Sequence, residues 1–167
     1  VSYHLHSLDP VMHLVKRMVD IFGACVGIVL FSPILLVSAI SIKLDSEGPV
    51  FFTQTRVGQY GRHFKIITLR TMTTDAEVRK QELLAFNEMY GNLMFKIKAD
   101  PRITRVGAFL RKTSIDEIPQ FLNVLTGSMS LVGTRPPTED EVSCYENHHW
   151  RRLRIKPGIT GLWQVSG

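Results

Sequence analysis

The chain has 167 residues, about 19 kDa, with 20 Lys plus Arg against 15 Asp plus Glu and a formal net charge of +5. Hydrophobic residues make up 44% and charged ones 21%, which excludes a disordered, collagen-like or coiled-coil chain and fits one domain with a real core. Two cysteines far apart, Cys25 and Cys144, exclude a disulfide-stapled secreted scaffold, while the positive charge suits an anionic partner without choosing among nucleic acid, phosphosugar and lipid headgroup.

The chain opens on Val1 rather than Met and closes on a strongly patterned run, so it reads as part of a longer protein. From Ile21 to Ile42, IFGACVGIVLFSPILLVSAISI has no ionisable side chain other than Cys25. Roughly 20 residues cross a bilayer as a helix, and the run predicts a membrane segment. Pro33, near its middle, lacks a donor and predicts a kink or break. The Ser32 hydroxyl is placed to bond a freed carbonyl. Lys16 and Arg17 flank the start and Lys43 the end. A spanning helix normally shows a Lys/Arg bias to one side, so two basic flanks favour a helix–break–helix that enters and leaves through one leaflet. A kinked spanning helix and a cleaved signal sequence are the alternatives.

Residues 45–49, DSEGP, predict a turn. PVFFTQTRV and HFKIITL then predict two strands joined through GQYGR. Thr74-Asp75-Ala76-Glu77 matches a capping box and predicts a helix to about Tyr90, closed by Gly91. ITRVGAFLRKT is amphipathic and basic, with Ile103, Val106, Phe109 and Leu110 at helical spacing. It suits a membrane interface and simple packing equally. Ser114-Ile115-Asp116-Glu117 is a second capping box, predicting a helix through Leu125 that stops at Thr126-Gly127. SLV at 130–132 predicts a short strand and GTRPP at 133–137 a stiff loop. Thr138 caps a last predicted helix carrying Arg151, Arg152, Arg154 and Lys156, before Pro157-Gly158 turns the chain.

Asp116 and Glu117 are adjacent acids at a predicted helix start, where free N–H groups and the dipole favour a carboxylate and lower its pKa. Helical neighbours diverge by about 100°, so one acid is free to attack or accept while the other holds a cation. A plain capping role is the competing reading. Arg111 lies just upstream, and Arg135 sits in a loop stiffened by Pro136 and Pro137. Arginine offers a planar fork that matches phosphate oxygens. Carboxylates, arginines and a hard divalent cation are what a diphosphate site needs. His148-His149 is a weak metal pair, because adjacent side chains on a helix diverge.

The apolar run, EGPVFFTQTRVG, LRTM, KADPRITRVGAFLRKTSIDEIPQFLNVLTGSMSLVGTRPP and KPGITGLWQVSG together resemble the bacterial sugar transferases, the monotopic polyprenyl-phosphate phosphoglycosyl transferases. The resemblance runs from about Lys16 to Gly167. It implies transfer of a hexose-1-phosphate from a UDP-sugar, UDP-glucose or UDP-galactose being the usual donors, to undecaprenyl phosphate, with release of UMP, as the priming step of exopolysaccharide or capsule synthesis. It implies Asp116 as nucleophile through an aspartyl-phosphosugar intermediate, Glu117 as the Mg2+ ligand, and Arg111, Arg135 and Arg70 as phosphate contacts. Ser32-Pro33 falls on the family's break in a re-entrant helix. Thr68 stands where many members carry lysine, with Lys65 nearby, and Thr134 replaces a loop proline.

The resulting expectation is an α/β fold, mostly helical with a small sheet or hairpin, organised in three parts. Residues 1–15, with His4, His6 and His13, link from a preceding membrane region; 16–44 form the re-entrant helix broken at Ser32-Pro33; 45–167 form the catalytic domain. The resemblance places it at the bacterial cytoplasmic membrane, site facing the cytoplasm and in contact with lipid, and it allows a homodimer. The rival, a membrane-anchored basic nucleic-acid-binding or regulatory module, predicts basic residues interleaved with aromatics. Here the basic runs flank acids and prolines instead, so no nucleic-acid partner is expected.

Overall fold

The computed structural model describes residues 10–76, 100–146 and 148–161. The apolar run lies within one helix, α1 (Pro10–Asp45, 36 residues), about 54 Å long if straight. By length and composition it is able to cross a membrane. Helical structure continues through the expected break at Ser32-Pro33. Pro33 has no N–H to give to the Val29 carbonyl four residues back. The Ser32 hydroxyl donates to that same oxygen at 2.8 Å and refills the vacancy.

The buried positions of α1 are Asp20, Ala24, Gly27, Ser38 and Ile42, with Phe31 and Leu35 half-buried between them. Steps of three, four or multiples of them put all seven on one stripe against the rest of the molecule. The opposite face, including Phe22, Val29, Leu30 and Leu36, is apolar and exposed. Polar bonds fasten both ends of the helix. Near its start, Arg17 donates to the carbonyls of Val124 and Leu125 at 2.6 and 2.7 Å. The Asp20 carboxylate accepts from the Ser130 hydroxyl and, at 3.1 Å, from the Leu131 N–H. Lys16 pairs with Asp20 at 3.3 Å and contacts the Ser130 hydroxyl. At the other end, Asp45 accepts from the Val106 N–H at 3.1 Å.

Strands β1 (Phe51–Val57) and β2 (His63–Leu69) form the expected antiparallel hairpin, with Phe51 opposite Leu69 and Val57 opposite His63. Beyond Ala76, the helix expected to reach Tyr90 lies outside the described residues. The basic amphipathic block forms α2 (Arg105–Thr113), whose N-terminus is capped by the Thr104 hydroxyl accepting from the Gly107 N–H at 3.0 Å. Gly107 is needed for contact, since a Cβ there would lie 2.0 Å from the Thr71 carbonyl oxygen. Val106 and Leu110 pack inward, whereas Phe109 is exposed.

Helix α3 (Gln120–Thr126) ends on Gly127, which takes the left-handed φ of 86° that a C-cap requires. Buried Asn123 docks α3 onto the hairpin edge: its amide donates to the Lys65 carbonyl at 2.8 Å and accepts from the Ile67 N–H at 3.0 Å. Strand β3 (Ser130–Val132) forms as expected, and its parallel partner, β4 (Gly158–Thr160), follows the expected Pro157-Gly158 turn without a strand pattern to announce it. Between them, α4 (Glu139–Ser143) has the Thr138–Glu141 capping box but is a short helix. Arg151, Arg152 and Arg154 lie instead on a separate 3-10 turn, His149–Arg154.

Two buried clusters underlie the docking of α1. Ala24 meets Ile66, Val124 and Met129 toward one end, and Ile42 meets Leu69 and Leu110 toward the other. Burying a side chain such as Leu69 contributes about 1.5–3 kcal/mol, so each cluster holds its half of the helix firmly.

Candidate active site

Asp116 and Glu117 lie on a 3-10 turn, Ile115–Glu117, between α2 and α3. The capping box expected at Ser114 is not formed, which corrects the predicted helix start. Ser114 instead closes α2 in the left-handed region, φ 56°, with its N–H donating to the Leu110 and Arg111 carbonyls. Pro119 then lacks the donor that would carry one continuous helix back to Ile115. The dyad thus sits in a pinched joint, held by packing on both sides rather than at the mouth of a long helix.

That placement reverses the expected electrostatics. The Asp116 carboxyl is pushed above its ordinary range, chiefly because burial disfavours the charge, and the Arg111 guanidinium and a backbone N–H pull it partly back. Glu117 is also pushed up, by burial first and the Asp116 charge second, against Arg135 and Arg56. Arg111 is exposed as a residue, with its guanidinium turned in against the Thr71 hydroxyl. Desolvation of its guanidinium loosens its proton, while Asp116 and Asp100 act the other way. Its Nε donates to the Thr71 hydroxyl at 2.9 Å, which aims the side chain.

The Arg135 loop is pinned around the arginine. The Thr134 carbonyl accepts from the Gly158 N–H at 2.9 Å, and the Pro137 carbonyl accepts from the Val57 N–H at 3.0 Å. The Pro136 carbonyl accepts from Arg56 at 3.3 Å. Arg135 itself is exposed, and its charge reaches Glu117 and Arg56. Arg56 was missed from the sequence. Strand alternation, which puts Gln54 and Arg56 on one face of β1, was the available signal.

Arg111, Asp116, Glu117 and Arg135 are therefore brought into one electrostatic neighbourhood. Arg70 is placed otherwise, which corrects its expected phosphate contact. It is buried, and its guanidinium donates to the Glu47 and Ser46 carbonyls at 2.5 and 2.7 Å, with Ile42 at 3.5 Å. It neutralises the carbonyl end of α1. Ser32 and Pro33 are exposed at mid-helix, one and two residues past Phe31. An open cleft of about 350 Å³ runs from Ser114 and Glu117 to Phe31, lined also by Ile118, Phe121 and Ile159. It joins the carboxylate site to the middle of the apolar helix.

Among the described residues no three His, Cys, Asp or Glu side chains cluster as metal ligands. His148 and His149 face each other with ring centroids 3.8 Å apart rather than diverging. The dyad alone offers two hard oxygen donors: burial opposes the charged form of each, and the Asp116 charge further opposes that of Glu117. That donor set fits Mg2+, which binds through one or two carboxylates together with waters and substrate phosphates.

Residues 11–167 match the family model described as bacterial sugar transferase. The chain is 54% identical over 156 residues to the galactosyl transferase CpsE of Streptococcus agalactiae, covering 93% of this chain and 34% of that protein. It is 41% identical over 164 residues to the exopolysaccharide production protein ExoY of Rhizobium meliloti, covering 96% and 73% respectively. With the UDP-glucose:undecaprenyl-phosphate glucose-1-phosphate transferase of Escherichia coli it shares 40% identity over 163 residues, covering 96% of this chain and 32% of that one. The chain thus spans about a third of the length of two of these relatives and most of the third.

Proposed function

The chain belongs to the bacterial sugar transferase family, and from that membership we propose that it transfers a sugar-1-phosphate from a UDP-sugar to undecaprenyl phosphate in exopolysaccharide or capsule synthesis. The observation that carries this reading is the Asp116–Glu117 carboxylate pair, facing Arg111 and Arg135 and opening through a cleft onto an apolar helix. The donor is UDP-glucose or UDP-galactose, in keeping with the glucose and galactosyl transferases among the relatives.

Asp116 attacks the sugar-bearing phosphorus through a carboxylate oxygen. The bond from that phosphorus to the bridging oxygen breaks, and its electron pair leaves with UMP. An aspartyl-phosphosugar remains. A phosphate oxygen of undecaprenyl phosphate then attacks the same phosphorus, the Asp116–phosphorus bond breaks, and the free carboxylate returns. Burial strips water from the Asp116 carboxylate and sharpens it as a nucleophile, while Arg111 keeps enough of it ionised. Arg111 and Arg135 balance charge building on the phosphoryl oxygens. Glu117 would hold Mg2+, which when bound offsets repulsion between the anionic nucleophile and the anionic donor.

The cleft from Glu117 to Phe31 and Phe121 receives the first isoprene units of the lipid carrier. The anchor enters and leaves one leaflet of the cytoplasmic membrane, with the site on the cytoplasmic face. Support comes from α1 itself, whose two ends are hydrogen-bonded to the same domain and whose outward face is apolar.

The test is UMP release by protein reconstituted in nanodiscs with undecaprenyl phosphate, Mg2+ and a panel of UDP-sugars, wild type beside Asp116→Asn. Release that depends on the lipid, and falls roughly a thousandfold or more in the variant, is expected. Undiminished release by Asp116→Asn would remove the nucleophile from the scheme.

A further inference from the structure

Arg56 stands on β1 against the Arg135 loop, near enough for its charge to act on Glu117, and nothing in the scheme above uses it. Its Nη1 donates to the Pro136 carbonyl at 3.3 Å and its Nη2 to the Gln54 side-chain oxygen at 2.8 Å. Its Nε–H is buried with no partner. Among the described residues no carboxylate forms an ion pair with it.

We propose that Arg56 is a second phosphate-binding arginine, closing with Arg135 on the diphosphate of the nucleotide-sugar donor. This rests on the transferase reading and adds a residue to its donor site. Two guanidiniums on adjoining elements repel each other, the more so where water is displaced. Burial, and then the Arg135 charge, weaken the proton's hold on Arg56, while Glu141 and Glu117 compensate in part. Arginine stays charged regardless, so such a pair is relieved by an anion bound between its members. A donor diphosphate supplies two adjacent phosphoryl groups, one for each fork.

A loop-holding role explains less. The Val57 N–H already fixes the Pro137 carbonyl at 3.0 Å, one residue from the carbonyl that Arg56 touches. The Gln54 amide is spent on aiming the guanidinium, as expected for a group that meets a ligand. The unpartnered Nε–H is a donor left over in a site where an oxygen-rich ligand is expected.

The experiment measures UDP affinity by calorimetry in Mg2+ for nanodisc-reconstituted wild type, Arg56→Gln, Arg135→Gln and the double variant. KM values are taken for UDP-sugar and for undecaprenyl phosphate. Arg56→Gln should weaken UDP binding roughly tenfold or more and raise the UDP-sugar KM, leaving the lipid KM within about twofold. In the double variant the loss should exceed that of either single variant, without having to equal their product, since the two arginines share one ligand. Arg56→Lys, which keeps the charge but not the fork, should restore part of the affinity and guards against a Gln variant that fails to fold.

Unchanged UDP affinity in Arg56→Gln, beside a loss in Arg135→Gln, would overturn the proposal and leave the transferase reading standing. So would a loss that disappears in the Arg135→Gln background, because Arg56 would then act only by holding Arg135. A rise in the lipid KM alone would overturn the assignment to the donor. Wild type that neither binds UDP nor turns over would overturn the transferase reading and this inference together.

Discussion

Asp116 and Glu117 carry charges that their surroundings oppose. Both carboxyls are raised, mainly by burial, and Arg111 is the guanidinium that lowers Asp116. A carboxyl raised by folding contributes stability below its unfolded pKa, and that contribution is lost as pH rises through the folded value. The unliganded protein therefore gives up stability at neutral pH to keep the dyad ionised, as sites built for chemistry commonly do. Under the proposed scheme activity has the opposite slope, because there only ionised Asp116 attacks. The acid limb of kcat/KM should thus lie above the ordinary carboxylate range, and Arg111→Gln should move it further up in pH while lowering the plateau roughly tenfold or more. A pH profile of both proteins checks this. A limb that stays put or moves down in the variant would mean that Arg111 does not govern Asp116.

At the scale of elements, α1 is what would bring the proposed site to a membrane. Its inward stripe is docked along its length by two buried clusters, and each end is tied by polar bonds to the same domain. Such a helix is able to present one apolar face to lipid while both of its ends stay attached to the same domain. Cysteines introduced by His13→Cys and Glu47→Cys, each in a Cys25→Ser, Cys144→Ser background, should react with an impermeant maleimide from the same side of sealed vesicles. Reaction from opposite sides would mean a spanning helix. Local rules made much of this level legible: apolar length gave α1, alternation gave the hairpin, and Thr138 with Glu141 gave its capping box. The same rules failed where long-range contacts decide. The β3–β4 pairing joins segments more than twenty residues apart, with no periodicity to announce it. Ser114 resembled a helix cap but closes the preceding helix with positive φ. Arg70 belonged to a site motif, yet its fork is consumed by the end of α1, and Arg56 revealed its position only once the hairpin met the Arg135 loop.

For the molecule as a whole, an apolar helix, a joint bearing two acids and a pinned arginine loop bring the proposed phosphoryl-transfer site beside an exposed apolar helix face. The cleft between Glu117 and Phe31 is the physical link, polar at one end and aromatic at the other. Nothing in this arrangement needs the lipid phosphate to leave the interface, which keeps its long chain in hydrocarbon while its headgroup reacts. The central claim is that Asp116 becomes covalently loaded with the sugar phosphate. Its most direct measurement is mass spectrometry of the reconstituted protein, quenched after incubation with its UDP-sugar and Mg2+ in the absence of undecaprenyl phosphate. The account predicts a sugar-phosphate adduct on the peptide containing Asp116, discharged when the lipid is added and missing in Asp116→Asn. Turnover with no adduct at any time, or an adduct carried by another residue, would contradict it.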